Sequence, residues 1–297
     1  MAKTTKSEVA DAGVYINPLT DFGFKRIFGT EANKDLLIDF LNDILKVKGG
    51  IVDLQFANTE RKGNTKKDRT IFFDLHCTTG KGERIIVEVQ NKPFKNYKQR
   101  VVFYASKAIW EQGKRGTWNY VLCPVYFINL INFSLKGGKQ KNDKYISYIQ
   151  LKDIETNDVH YDKLTLIYIE LKRFNKKAEE LQNNVEFWTY VFKNISKLEN
   201  LPTATAFRSK NKVAEKLFEE ARIANMTPEE YQQYEQSLKE LNDMNAVLNE
   251  RNETIAALRK KNAAMRKKNV EKDNALTQKD NIIAEYKRRF GDISGLN

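Results

Sequence analysis

Histidine and cysteine are scarce in this chain, with two of each in 297 residues. So few imidazoles and thiols argue against a zinc centre. Cys77 and Cys123 sit inside apolar, strand-like runs rather than at ligand spacing, and read as buried free thiols of a reducing compartment. No apolar run reaches the length of a membrane span, and Met1-Ala2-Lys3-Thr4-Thr5-Lys6-Ser7-Glu8 lacks the apolar stretch of a secretion signal. The expectation is a cytoplasmic protein with no membrane partner. What the chain has in excess is positive charge: 51 Lys and Arg against 39 Asp and Glu, a formal net charge of +12. That balance favours a polyanionic partner, nucleic acid before membrane, because neutralised phosphates supply most non-specific nucleic-acid affinity. With 41% hydrophobic and 11% aromatic residues the chain can build a core, and its length suits one mixed domain plus an extension.

The most chemical segment is a predicted hairpin. Ile71-Phe72-Phe73-Asp74-Leu75-His76-Cys77 and Arg84-Ile85-Ile86-Val87-Glu88-Val89-Gln90 are both short, apolar and β-branched or aromatic, and Thr78-Thr79-Gly80-Lys81-Gly82-Glu83 between them is a turn signal. Side chains alternate along strands, so Phe72, Asp74 and His76 are expected on one face and Ile86, Glu88 and Gln90 on one face of the partner. Asp74 and Glu88 then converge and can hold a cation. Ile71, Phe73, Leu75, Ile85, Val87 and Val89 would fill the opposite face, under helices. An aspartate among aromatics is informative, since a buried unpaired carboxylate costs several kcal/mol and usually has a partner or a task.

Around the hairpin, Asn33 is a candidate cap for a helix bearing Leu36, Leu37, Phe40, Leu41, Ile44 and Leu45, ending at Gly49-Gly50. Residues Ile51 to Glu60 read as a strand, Asn96 to Trp110 as a helix, Trp118 to Phe133 as an apolar stretch divided by Pro124, and Thr165 to Leu171 as another strand. This pattern predicts a βαβ crossover and an α/β sheet flanked by helices. The tail differs in kind. Leu241, Leu248, Ile255, Asn262, Asn269, Leu276, Ile283 and Phe290 recur every seven residues, with Met244, Leu258, Met265 and Tyr286 on a companion seam. Thr227-Pro228-Glu229-Glu230 marks the helix start. Asn262 and Asn269 would fix the register of a parallel homo-oligomer, while Arg251, Lys272 and Lys279 weaken the companion seam. A solvated single helix, or one folded back on the domain, is the alternative. The expected organisation is a flexible 1–12, an α/β domain over 13–200, a helical connection over 201–226 and a coiled-coil helix over 227–297.

Four ordered blocks carry a resemblance: Asp21-Phe22-Gly23-Phe24-Lys25 near the start, then Asp74, Glu88-Val89-Gln90, and Gln99-Arg100-Val101-Val102-Phe103-Tyr104. This order resembles the PD-(D/E)xK nuclease superfamily, and within it the recombination-promoting nuclease and transposase-like family. The resemblance implies a restriction-endonuclease-like mixed sheet and Mg²⁺-dependent cleavage of DNA, with Mn²⁺ as a substitute, linked to recombination or mobile elements. Asp74, Glu88 and the Val89 carbonyl would hold the metal, which prefers hard oxygen ligands. Gln90 stands where many nucleases of this fold have lysine and would orient water. Asp21 would approach from the helical side as the matching family acid does, with Lys25 one turn later. Lys25 or Lys92 would supply the charge the absent lysine does not. Lys66, Lys67, Arg69 and Lys92 surround the cleft in sequence, and Arg100 and Tyr104 share a helical face. All of these suit a phosphate backbone, though solvated loops and a helix packed on the sheet fit them equally. A catalytically lapsed DNA-binding scaffold on the same fold, and an RNA-cleaving nuclease, are the competing readings.

Overall fold

The computed structural model of the chain describes residues 13–61, 71–113, 115–135 and 144–291. Helix α1 spans Asp21–Phe28, capped by Thr20, whose Oγ1 accepts the Gly23 N–H at 3.0 Å. Gly23 allows no side chain, since a Cβ there would stand 2.2 Å from the Asn17 carbonyl oxygen. Helix α2, Lys34–Leu45, buries Leu36, Leu37, Phe40, Leu41 and Ile44, the stripe the sequence predicts. Its ends differ from the expectation. Asn33 does not cap it; the Asn33 amide instead donates to the Arg26 carbonyl and to Glu220, and the helix closes on a left-handed Lys46 ahead of Gly49-Gly50.

Strands β1 (Leu54–Phe56), β2 (Glu60–Arg61), β3 (Ile71–Phe72), β4 (Leu75–Thr79) and β5 (Arg84–Gln90) come next. Then follow helix α3 (Tyr97–Trp110) and strands β6 (Val125–Ile131), β7 (Ile146–Lys152) and β8 (Val159–Glu170). Helices α4 (Asn184–Asn194), α5 (Thr205–Ser209), α6 (Asn211–Glu220) and α7 (Pro228–Phe290) complete the described chain. Six strands form one mixed sheet in the order β1-β4-β5-β6-β8-β7, and β2 and β3 pair separately. β5, β6 and β8 are mutually parallel, so β5-α3-β6 is the expected crossover, with β6 starting just after Pro124. The architecture is the α/β one expected, a mixed sheet between helices with a long C-terminal helix.

Each face of the sheet has its own core. One holds Leu75, Cys77, Ile85, Val87, Ile128 and Ile167 under α1, α2, α4 and α6, where Phe28 has its ring centroid 5.3 to 6.0 Å from those of Phe24, Phe40, Trp188 and Phe192. The other, under α3, gathers Ile86, Phe127, Tyr168, Val101 and Tyr104. Phe73 belongs to this second core, which corrects the uninterrupted alternation expected of residues 71–77. The strand breaks at Phe73-Asp74, between β3 and β4. The predicted strand over Ile51–Glu60 is likewise shorter, and the hairpin strand β7 went unanticipated.

Helix α7 starts where its sequence signal stands. Thr227 Oγ1 accepts the Glu230 N–H at 3.2 Å and the Glu230 carboxylate accepts the Thr227 N–H at 3.0 Å, a reciprocal capping box. Its opening turns belong to the globular unit. Tyr234 is 1% exposed, its hydroxyl accepting the Asn17 N–H at 2.9 Å; Ser237 Oγ accepts the Phe22 N–H at 3.3 Å; Glu230 and Glu220 both grip Arg26. Two compact units divide between Leu241 and Asn242, within the helix.

Ending the chain after Leu241 should therefore leave the melting temperature within a few degrees of full length, whereas ending it at Met226 strips Tyr234 and Leu241 from the core. The second truncation should melt about 10 °C lower, given roughly 1.5–3 kcal/mol per buried large side chain and about 2–4 °C per kcal/mol at this size. Equal melting temperatures for the two would refute the docking of the first turns.

Candidate active site

The break at Asp74 builds the site. Successive residues of β5 direct their N–H groups to alternate sides, and the Val89 N–H faces β4 at the position where the next rung of the ladder would fall. Asp74 Oδ2 accepts it at 2.6 Å. A side-chain oxygen thus replaces a strand carbonyl, pairing ends, and the carboxylate is fixed where the β4–β5 ladder ends, beside Glu88. Glu88 is 7% exposed, on the α3 face of β5, opposite Asn129 of β6.

Around Glu88 the second core supplies few polar groups. Arg100 Nη2 of α3 stands 4.0 Å from Glu88 Oε2, with its guanidinium 4.8 Å from the Tyr104 ring centroid and 5.4 Å from that of Phe94. Glu88 Oε1 is buried and has no hydrogen-bond partner among the described residues. Behind it, the Tyr97 hydroxyl donates to Asn129 Oδ1 at 2.8 Å, and the Asn129 amide donates to the Ile167 carbonyl at 3.0 Å. This chain engages both ends of the Asn129 amide, while burial and then the charge of Glu88 push the Tyr97 phenol upward.

Two carboxylates so placed resist ionising together. Burial raises Asp74 to about 6, the Val89 N–H and then the cations Lys25 and Arg100 pulling it back and Asp21 pushing it up. Burial, and after it the charge of Asp74, holds Glu88 well above the usual carboxylate range, with Arg100 opposing. An unpartnered buried oxygen beside a second carboxylate is what a hard divalent cation relieves, so these residues fit one. Among the described residues no three His, Cys, Asp or Glu side chains gather around one point. The chain would thus lend two carboxylates and leave the remaining ligands to backbone oxygen and water.

The other expected residues divide. Asp21 and Lys25 form an exposed ion pair at 2.7 Å on α1, and both act electrostatically on Asp74. The Asn91 amide, just past β5, donates to the Leu19 carbonyl at 2.6 Å and seats the start of α1 against this end of the sheet. Gln90 turns its amide to the Lys92 carbonyl at 3.2 Å, and Lys92 itself is exposed. Tyr104 is buried, with the Arg100 guanidinium over its ring. For Val89 the structure fixes the N–H. Lys66, Lys67 and Arg69 lie outside the described residues, as do residues 1–12. His76 is a buried core residue against Phe73. Sequence reasoning missed Asn129, although a lone amide inside Val125-Tyr126-Phe127-Ile128-Asn129-Leu130-Ile131 was a signal.

An aspartate at a strand break, Glu-x-Gln on the neighbouring strand and a crossover helix bearing an arginine over that glutamate, all on a mixed sheet between helices, define a PD-(D/E)XK-type fold. The family model of the PD-(D/E)XK nuclease family transposases matches residues 18–251, and the chain belongs to that family. No curated protein and no solved structure matches it.

The electrostatics predict a stability signature. Asp74 has its folded value raised from 3.8 to about 6, so its favourable contribution is complete below 3.8 and is lost as pH rises through 6. Asp74→Asn should stabilise the protein in EDTA at pH 7.5 by roughly 1–3 kcal/mol, the lower part of that range reflecting the strip of surface Asp74 retains. Urea melts should show the gain shrinking toward zero below pH 4. A loss of stability at pH 7.5 would contradict the electrostatic account.

Proposed function

We propose that the protein is a divalent-metal-dependent endodeoxyribonuclease, using Mg²⁺ or Mn²⁺, that serves recombination or mobile elements. The observation that carries this reading is the half-buried Asp74 paired with the buried Glu88, whose Oε1 is unpartnered among the described residues beside Arg100. Asp74, Glu88 and the Val89 carbonyl would hold the ion, which when bound supplies an activated water and charge stabilisation at phosphorus. The Val89 N–H keeps Asp74 oriented. Arg100, rather than Lys25 or Lys92, provides the cation the missing lysine would have brought: Lys25 is committed to Asp21, while the Arg100 fork suits a phosphate and is stacked in place. Asp21 adds negative charge from α1. Gln90 orients water once its amide leaves the Lys92 carbonyl. The free thiols of Cys77 and Cys123 suit a cytoplasmic setting, and no helix among the described residues is long and apolar enough to cross a membrane.

One observation favours a second reading, a DNA-binding scaffold without turnover: no lysine follows Glu88 at the motif position, and Gln90 is tied to backbone. Supercoiled plasmid with Mg²⁺ decides between them. Wild type should nick it, and Asp74→Ala and Glu88→Gln should each lower the rate at least about 100-fold, as loss of charge-stabilising groups does elsewhere. Gln90→Lys should keep or raise the rate. An inert wild type supports the scaffold, and cleavage of RNA alone transfers the mechanism to that substrate.

The helix beyond Leu241 exposes Leu258, Met265, Leu276, Ile283 and Phe290, each more than half accessible and all on the two heptad seams. We assign it to parallel self-association, which buries such seams. Light scattering should give full-length protein a whole-number multiple of the 34.6 kDa chain mass, and the form ending at Leu241 a single-chain mass. Single-chain masses for both would reject the assignment.

A further inference from the structure

The outward stripe of α3 has no role in the site described above. Val102, Phe103 and Trp110 fall on one side of the helix at 51%, 57% and 61% exposure. The stripe continues past its end. Trp118 packs beside Gly113, and Tyr120, 78% exposed, lies over Trp118 with centroids 4.7 Å apart. Tyr120 is also held at φ 57°, a left-handed conformation costly for a tyrosine. Exposed rings in this number mark a contact surface.

Charge selects what the surface contacts. From Lys92 to Glu111 the chain carries four lysines besides Arg100, which faces Glu88, and one acid, Glu111, already approached by Arg84 and Lys107. Lys107 Nζ stands 4.4 Å from the centroid of the Trp110 ring, a residue 61% exposed. A second copy of α3 packed here would bring like charges together. A polyanion with flat apolar groups meets both features, since bases stack on aromatic rings while phosphates follow the lysines. Duplex DNA hides its base faces. Unpaired nucleotides present them.

We infer that the outer face of α3, with the Trp118-Tyr120 pair, binds single-stranded nucleic acid through base stacking, leading an unpaired strand to or from the carboxylate site. This deepens the nuclease reading by naming substrates with unpaired bases next to the scissile phosphate. Binding itself does not depend on cleavage.

The test uses full-length protein in EDTA, with fluorescence anisotropy on labelled oligothymidylate and on a duplex of equal length. Phe103→Ala/Trp110→Ala should weaken oligothymidylate binding by roughly 30-fold or more, the loss of two stacked bases, and duplex binding by less than about twofold. Phe103→Tyr/Trp110→Phe should restore most of it. No loss, an equal loss on both ligands, or no recovery with the ring-retaining pair would overturn the inference. So would a drop in particle mass for the alanine variant, which would make the face a contact between copies. A wild type that binds oligothymidylate through these rings yet never cuts would sink the nuclease and leave the stacking surface standing.

Discussion

The hydrogen bond from the Val89 N–H to Asp74 Oδ2 does two things that ordinary strand pairing cannot. It ends the ladder between β4 and its neighbour while satisfying the donor that the ending would have orphaned. It also fixes a carboxylate beside Glu88, in a place where that carboxylate would otherwise be costly. The change of face at Phe73 belongs to the same break. Its ring joins the core under α3, 5.9 Å from the Tyr104 ring that supports Arg100. One irregular residue thus couples the strand that ends to the helix that supplies the site's cation.

This arrangement is expensive by itself, and the rest of the fold accommodates it. Opposite the site, the sheet is anchored by the aromatic cluster around Phe28 and by α2 and α4, none of which contributes a polar group to the carboxylate pair. The second core is smaller and carries the polar chain from Tyr97 through Asn129 to the Ile167 carbonyl. The larger aromatic core therefore lies on one face of the sheet and Glu88 with Arg100 on the other, while α1 brings Asp21 and Lys25 to bear on Asp74 from the first face.

Periodicity made much of this legible. The crossover around α3, the buried stripe of α2, the division of the apolar run at Pro124 and the capping box at Thr227 all arise from local pattern, because each is fixed by residues adjacent in sequence. What escaped the pattern depends on distant partners. The interruption at Asp74 requires Val89; the Asn33 side chain is recruited by Arg26 and Glu220; β7 is an edge strand whose half-exposed residues give weak alternation. Asp74 and Glu88 could be singled out as a pair, but the orphaned Oε1 and the Arg100 fork above it are properties of the packed molecule. Asn129 shows the limit from the other side. Its oddity was visible in the sequence, and its purpose was not, since its partners lie on α3 and β8.

The opening turns of α7 are stitched to Asn17, Phe22 and Arg26, on either side of Asp21, and the next compact unit starts only at Asn242. A lineage of such chains is therefore free to exchange the helix beyond Leu241 for another module while the seat of α1 is inherited intact. Recombination upstream of that point would remove part of the support on which Asp21 rests. The helix is unbroken to the eye, yet as heritable material it has a joint.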